Sequence, residues 1–195
     1  QIKSPAPGGG SVSALLGSSG ASLCSMVASL TYYKKEFFDR RKEMNDLGAR
    51  AQLLKDKLVR LIDEDTNAFN AIMVSNRMPS KTEKEAKAKY KAQQNANERA
   101  FEVPFHVASL CADVVDISVP LSINGNPNSI SDIGVALESA YAGFKGASMN
   151  VLINMPGVDD KKLKNEIYEE LNRKKREIEK SYRTAISNVN KLLNF

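Results

Sequence analysis

Apolar residues recur every three or four positions along most of the chain, which is the spacing of one face of an α-helix. The pattern predicts long helices over about residues 11–35, 38–78, 131–155 and 159–193. Turns or loops are predicted where proline and glycine cluster, at residues 4–10, 79–83, 124–129 and 156–157. No stretch of useful length alternates apolar and polar residues as a strand does. We therefore predict a single all-α domain over residues 1–195, built as a bundle of long helices.

The first helix is predicted to lie at the centre of this bundle. Ser11 follows the proline- and glycine-rich segment and is the expected N-cap. One face of the helix carries small residues at Gly17, Ala21, Cys24 and Ala28. Because small residues let helix backbones approach closely, we expect this helix to be central or to lie at a subunit contact.

Breaks are predicted inside the longer helical segments. Gly48 predicts an interruption of the second helix. Thr82 and Glu85 fit a capping box for a polar surface helix that reaches about residue 99. Pro104 predicts a boundary or kink, and the short amphipathic helix that follows is expected to end before Pro120.

The second helix carries a carboxylate on its apolar stripe. Asp65 is in line with Leu54, Leu58, Ile62, Phe69 and Ile72. Asp63 points to another face. Desolvation by apolar neighbours would raise the pKa of Asp65, as an acid–base residue working at neutral pH requires. We therefore prefer Asp65 to Asp63 as the functional residue; a helix cap or a pairing with arginine is the alternative.

The helix at 131–155 has a face that is both small and polar. The stripe consists of Asp132, Ala136, Ser139, Gly143, Ala147, Asn150 and Asn154. The other faces are apolar, so this furrow is a candidate ligand wall. Asparagine offers both a donor and an acceptor, which suits a ligand with amide and ring nitrogen atoms. Hydrogen bonding between helices, without a ligand, is the alternative.

Two further features are weaker signals. The run Gly8-Gly9-Gly10-Ser11 leads into a helix N-terminus, where backbone N–H groups can bind a carboxylate or phosphate. It lacks the Gly-Lys-Ser/Thr ending of a P-loop, so an NTPase is excluded. The single histidine, His106, is interpreted as structural.

Composition narrows the class of protein. Hydrophobic residues make up 42% and charged residues 26%, a globular balance. Cys24 and Cys111 are interpreted as buried thiols, and with one histidine we predict no metal site. Residues 15–30 are interrupted by glycine and serine and are judged too short and too polar to span a membrane. No signal peptide is recognised in that stretch, so a cytoplasmic location is expected.

The formal net charge is +5. Nucleic-acid binding is not predicted, since no reading motif or interleaved exposed aromatic residues accompany the basic clusters. A moderate positive field would attract a small polyanionic ligand, and a solvated surface without a partner is the alternative.

Short motifs in a fixed order run along nearly the whole chain. They lie at residues 4–12, 25–27, 30–32, 61–65, 68–69, 125–126, 131–132 and 150–154. Together these motifs resemble the formiminotetrahydrofolate cyclodeaminase family, which also contains methenyltetrahydrofolate cyclohydrolases. Animal members are fused to a formiminotransferase, and the sequence resembles the standalone bacterial form.

The resemblance implies an all-helical homodimer whose active site lies at or near the subunit contact. It implies conversion of 5-formiminotetrahydrofolate to 5,10-methenyltetrahydrofolate with release of ammonia. Hydrolysis of the methenyl group is the first alternative, and a catalytically inactive dimerisation module is the second. The substrate would be a folate, possibly polyglutamylated, and no prosthetic group is expected.

The resemblance also implies roles for individual residues. The catalytic aspartate falls within residues 63–65, where the face analysis favours Asp65, with Asp132 in support. The implied folate site consists of Gly8, Gly9, Gly10, Ser11, Lys34, Asn126, Ser131, Asn150 and Asn154. Tyr33 stands where the family commonly has glycine, which is expected to narrow or reshape the site.

Overall fold

The computed structural model describes residues 7–194. Within that range there are five long helices and no strand, which confirms the all-α prediction. The helices are α1 (Gly9–Tyr33), α2 (Arg41–Arg77), α3 (Glu83–Asn124), α4 (Ile130–Asn154) and α5 (Lys161–Leu193). Short 3₁₀ turns span Lys35–Arg40, Pro127–Ser129 and Met155–Gly157. Of the predicted loop at residues 4–10, positions 4–6 lie outside the described residues.

Helix α1 lies between α2 and α4, and α3 packs beneath all three, while α5 covers α3 and α4. The small-residue stripe of α1 is buried, as predicted. A Cβ atom on Gly17 would lie 2.5 Å from Cys111 Sγ, and one on Gly20 would lie 2.8 Å from the Ala136 carbonyl oxygen. Glycine at these two positions therefore leaves room for the Cys111 side chain of α3 and lets α1 approach the backbone of α4.

The two cysteines are buried as free thiols, as the sequence indicates. Burial raises the pKa of Cys24 to about 11 and that of Cys111 to about 12. Both side chains therefore serve as small packing groups in the core at neutral pH.

One helix start is confirmed and another is wrong. Glu85 N donates to Thr82 Oγ1 at 3.2 Å while Thr82 N donates to Glu85 Oε2 at 3.0 Å, the predicted capping box. Ser11, however, is not an N-cap, because α1 begins at Gly9 with Gly8 as its cap. The Ser11 hydroxyl instead makes hydrogen bonds to residues of α2.

The interruption predicted at Gly48 and the helix boundaries predicted at Pro104 and Pro120 are wrong, since α2 and α3 run through these residues. The kink given as the alternative at Pro104 stays a prediction. A glycine costs about 1 kcal/mol and a proline about 3 kcal/mol inside a helix. Each buried large apolar side chain contributes about 1.5–3 kcal/mol. Buried residues on both sides of each position, such as Phe101 and Val107, outweigh the local penalty.

By length and composition alone, α1 and α3 are long and apolar enough to cross a membrane. The prediction that residues 15–30 are too short and too polar therefore does not hold for the whole of α1. More than half of each apolar stretch is buried against other helices. That is the pattern of core helices in a bundle, and the absence of a membrane partner stays a prediction.

The close approach of α1 can be tested with two glycine substitutions. Gly20→Ala would place a Cβ against a backbone oxygen that cannot move away, and we expect a loss of about 2 kcal/mol in the free energy of unfolding. Gly48→Ala meets only ordinary contact with Ala28, and should stabilise the helix by about 0.5–1 kcal/mol. Thermal unfolding of both variants measures this, and a Gly20→Ala protein as stable as wild type would contradict the packing described.

Candidate active site

A cavity of about 280 Å³ opens where α1, α2 and α4 meet, with Ala100 of α3 also in its wall. The start of α1 contributes Gly8, Gly9, Gly10 and Ser11. Helix α2 contributes Asp65 and Phe69, and the end of α4 contributes Asn150 and Asn154. One cavity thus collects seven of the residues singled out in the sequence: the four at the start of α1, Asp65, Asn150 and Asn154.

Asp65 is fixed against the N-terminus of α1. Its Oδ2 accepts hydrogen bonds from Ser11 N at 2.8 Å and from Ser11 Oγ at 2.7 Å. None of the hydrogen bonds among residues 7–194 uses Asp65 Oδ1. The anion site predicted at this helix N-terminus is therefore occupied by a carboxylate of the protein itself.

Gly10 allows this arrangement. A Cβ atom at residue 10 would lie 2.6 Å from Asp65 Cγ and closer still to Oδ1. The carboxylate consequently rests directly on the backbone of α1. On the other side of the cavity, a Cβ on Gly9 would lie 3.1 Å from Asn150 Nδ2, so the glycines let side chains from α2 and α4 converge on the first turn of α1.

Both asparagines have a fixed amide orientation. Asn150 Nδ2 donates to the Gly146 carbonyl at 2.8 Å. Asn154 Nδ2 donates to the Ala100 carbonyl at 2.7 Å. Since one N–H of each NH₂ group is donated to a carbonyl oxygen, the amide oxygen and the second N–H of each side chain are what remain for a ligand.

The surroundings of Asp65 are less apolar than predicted. Phe69, expected on the buried stripe, is 44% exposed, and Asp65 is half-buried. The stripe of α2 leaves the core at this point and becomes the cavity wall. Asp63 is exposed and does not line the cavity, which agrees with the choice between the two aspartates.

The remaining implied residues lie elsewhere. Lys34 Nζ donates to Asn126 Oδ1 at 3.4 Å, and Asn126 N donates to Thr31 Oγ1 at 2.8 Å. This group, here called the Lys34 cluster, lies at the C-terminal end of α1, about 36 Å from Gly9 at 1.5 Å per residue. Within one chain the implied folate site is therefore split.

Three more residues belong to this distant end. Ser131 is exposed and Asp132 half-buried in the first turn of α4, about 27 Å along the helix from Asn150. Tyr33 ends α1 beside the Lys34 cluster, so it cannot narrow the Asp65 cavity within the same chain. The furrow that unites Asp132 and Asn154 in the sequence is a stripe too long for a single site.

Two cavity residues were missed as site residues because they share the helix face of Asp63. Thr66 and Asn70 line the cavity, and Thr66 Oγ1 lies 3.4 Å from Ser11 Oγ. Their spacing of four along α2 was a usable signal. Among residues 7–194, no group of three or more histidine, cysteine, aspartate or glutamate side chains is placed to hold a metal ion.

Comparison with known proteins now adds to this geometry. The sequence model of the formiminotransferase-cyclodeaminase family matches residues 1–173. The chain belongs to this family. It is therefore a member of a group of folate one-carbon enzymes that includes cyclodeaminases and cyclohydrolases.

The relatives of this chain include a cyclohydrolase and several cyclodeaminases. It is 36% identical to methenyltetrahydrofolate cyclohydrolase of Methylorubrum extorquens over 190 residues, covering 95% of this chain and 91% of the relative. It is 33% identical to formimidoyltransferase-cyclodeaminase of Gallus gallus over 164 residues, covering 84% of this chain and 30% of that protein. Formiminotetrahydrofolate cyclodeaminase of Thermotoga maritima matches in structure with a TM-score of 0.83 and 30% identity, covering 98% and 90% of the two chains.

The contact between Gly10 and Asp65 can be tested by a double-mutant cycle. In this family member, Gly10→Ala would force the carboxylate away from Ser11, and we expect a loss of about 2 kcal/mol in the free energy of unfolding. In an Asp65→Ala background the clashing atoms are gone, so the same substitution should cost less than half as much. Equal costs in the two backgrounds, measured by urea unfolding, would contradict the contact.

Proposed function

We propose that this chain acts on the one-carbon unit that joins N5 and N10 of a tetrahydrofolate, with Asp65 as the group that transfers protons. The observation that carries this proposal is the carboxylate of Asp65, held through Oδ2 by Ser11 inside the cavity that also contains Asn150 and Asn154. A carboxylate positioned by two donors on one oxygen can accept and return a proton with the other.

One such group suffices for either reaction of the family. In hydrolysis, water adds to the methenyl carbon and loses a proton to leave a hydroxyl group. N5 then gains a proton as its bond to that carbon breaks, and the hydroxyl group loses its proton as the formyl C=O forms, so that one proton is released overall. In deamination, N10 attacks the carbon of the protonated formimino group and loses a proton, and the departing nitrogen gains one and leaves as ammonia. Deamination joins two parts of one ligand and hydrolysis joins a ligand and water, so orientation supplies much of the rate in both. The proposal needs no prosthetic group.

The size and chemistry of the cavity support a ring system as the bound part. Its volume of about 280 Å³ lies at the lower end of ligand pockets, which are roughly 300–1,000 Å³. The asparagine carbonyl groups match the N–H donors of a pterin. The remainder of a folate would extend beyond the cavity, where the positive net charge of the chain suits a glutamate tail.

We place hydrolysis of methenyltetrahydrofolate first as the reaction. It is favoured by the cyclohydrolase relative, which is 36% identical over nearly the whole of both chains. The cyclodeaminase reaction, placed first from the sequence alone, is the second candidate. It is favoured by the structural match to the Thermotoga maritima enzyme at 30% identity. The geometry of the cavity is equally suited to both reactions.

We also propose that the chain works as a homodimer formed through α1. Although α1 is central, one of its faces is exposed and largely apolar, with Val12, Leu15, Met26, Leu30 and Tyr33 all at least 38% exposed. Two copies packed with their α1 helices antiparallel would cover this face. The Lys34 cluster of one copy would then approach the Asp65 cavity of the other, which would reunite the split site.

The role of Asp65 is tested by Asp65→Asn, with Asp63→Asn as the matched control. We expect Asp65→Asn to lower kcat by about 10²–10⁴-fold in the favoured reaction, because proton transfer is lost. Asp63→Asn should stay within about two-fold of wild type, since Asp63 lies outside the cavity. Loss of the methenyl chromophore and release of ammonia, assayed side by side, identify the reaction.

Three outcomes of these assays are informative. Full activity of Asp65→Asn would refute the assignment of Asp65. Ammonia release faster than methenyl hydrolysis would reverse the order of the two reactions. An active-site titration in which the wild-type chain binds no reduced folate would leave only the inactive dimerisation module.

The dimer is tested by sedimentation and by mixing variants. Leu15→Glu should yield monomers, because a charge would be buried in the proposed contact. Asp65→Asn and Lys34→Ala should each be inactive alone, and their mixture should regain about a quarter of the wild-type activity, since half of the dimers would hold one intact site. A wild-type monomer, or a mixture without recovery, would refute the shared site.

A further inference from the structure

A proline beside the cavity leaves free the backbone carbonyl that binds an asparagine of the cavity wall. Pro104 lies inside α3 and is buried. Proline has no N–H, so the carbonyl of the residue four positions earlier loses its helical hydrogen bond. For Pro104 that carbonyl belongs to Ala100.

The freed carbonyl is where Asn154 is bound. Asn154 Nδ2 donates to the Ala100 oxygen at 2.7 Å, across 54 positions of sequence and from a different helix. Both Ala100 and Asn154 line the Asp65 cavity. The ring of a helical proline also pushes the carbonyl four residues earlier away from the helix axis, which turns it outward. Asn154 therefore meets an acceptor that α3 would have used internally if residue 104 carried an N–H.

A second contact holds the same end of α4. Asn97 Nδ2 donates to the Gly157 carbonyl at 2.7 Å, just beyond Asn154. Asn97 and Ala100 are three residues apart, on one face of α3. The end of α4 is thus fixed to α3 at Asn154 itself and again three residues beyond it, so the position of Asn154 depends on the local geometry of α3.

We propose that Pro104 is a positioning residue for the ligand, acting through Asn154. With its NH₂ group tied to Ala100, the Asn154 amide cannot turn over, and its Oδ1 stays available as an acceptor for an N–H group of the substrate. This inference rests on the proposed function for the identity of the ligand, a tetrahydrofolate. It adds that Pro104, through Ala100, fixes the Asn154 oxygen as a hydrogen-bond acceptor in the cavity.

The test is Pro104→Ala, with Pro120→Ala as the matched control in the same helix. Alanine at 104 restores an N–H that draws the Ala100 carbonyl back into the helix. We expect KM to rise about five-fold with kcat within two-fold, the size of one lost hydrogen bond. Both variants should be at least as thermally stable as wild type, since each substitution replaces a proline inside a helix by alanine. Pro120→Ala should leave KM unchanged.

Two further measurements separate positioning from general damage. Asn154→Ala should raise KM by a similar factor, and the double variant with Pro104→Ala should raise it no further, because both remove one interaction. In nuclear magnetic resonance spectra without ligand, one Asn154 side-chain amide proton should be protected from exchange in wild type and lose that protection in Pro104→Ala.

The outcomes distinguish this inference from the proposed function. Titration calorimetry with 5-formyltetrahydrofolate reports on binding directly. If wild type binds and Pro104→Ala binds equally well, or if the Asn154 amide proton is equally protected in both, the positioning role is refuted. If wild type binds no reduced folate, the proposed function fails, and the ligand-directed part of the inference fails with it.

Discussion

The close approach of α1 to its neighbours is the constraint on which the rest of the structure depends. Gly17 and Gly20 have no side chain where Cys111 and the Ala136 carbonyl come within contact distance. Helix α1 can therefore lie between α2 and α4 on top of α3. The same placement brings Gly10 and Ser11, at its start, against Asp65 of α2. Packing in the centre of the bundle and the geometry of the carboxylate are thus set by one helix.

Much of the fold follows from periodicity, and the failures have identifiable causes. The helical spacing of apolar residues predicts α1, α2, α4 and α5 as long helices, because burial of one face is a strong and repeated signal, whereas α3 is predicted as two shorter helices. The interruption predicted at Gly48 and the helix boundaries predicted at Pro104 and Pro120 are wrong, since local penalties of a few kcal/mol are smaller than the stabilisation from burial on both sides. Ser11 was misassigned as a cap because its partner, Asp65, is 54 positions away.

Part of the site could also be predicted from the periodicity of apolar residues. Asp65 stood out because a carboxylate on an apolar stripe needs an explanation, and the structure places it on a cavity wall. The helix predicted over residues 11–35 already separates Lys34 from Ser11, but the sequence could not show that Asn126 lies beside Lys34, since that contact joins positions 92 apart in the chain. Nor does the cavity distinguish hydrolysis from deamination, because both require one mobile proton beside the same carbon.

The length of α1 has a consequence for how this protein can vary. Its 25 residues form one continuous helix, so each inserted residue would rotate the rest of the helix by about 100° relative to the part before it. A single insertion between Gly10 and Thr31 would turn either the Asp65 end or the Lys34 end of the helix away from its partners. Variation in length is therefore expected in the connections around residues 35–40, 78–82, 124–129 and 155–160, while the central helix can change only by substitution.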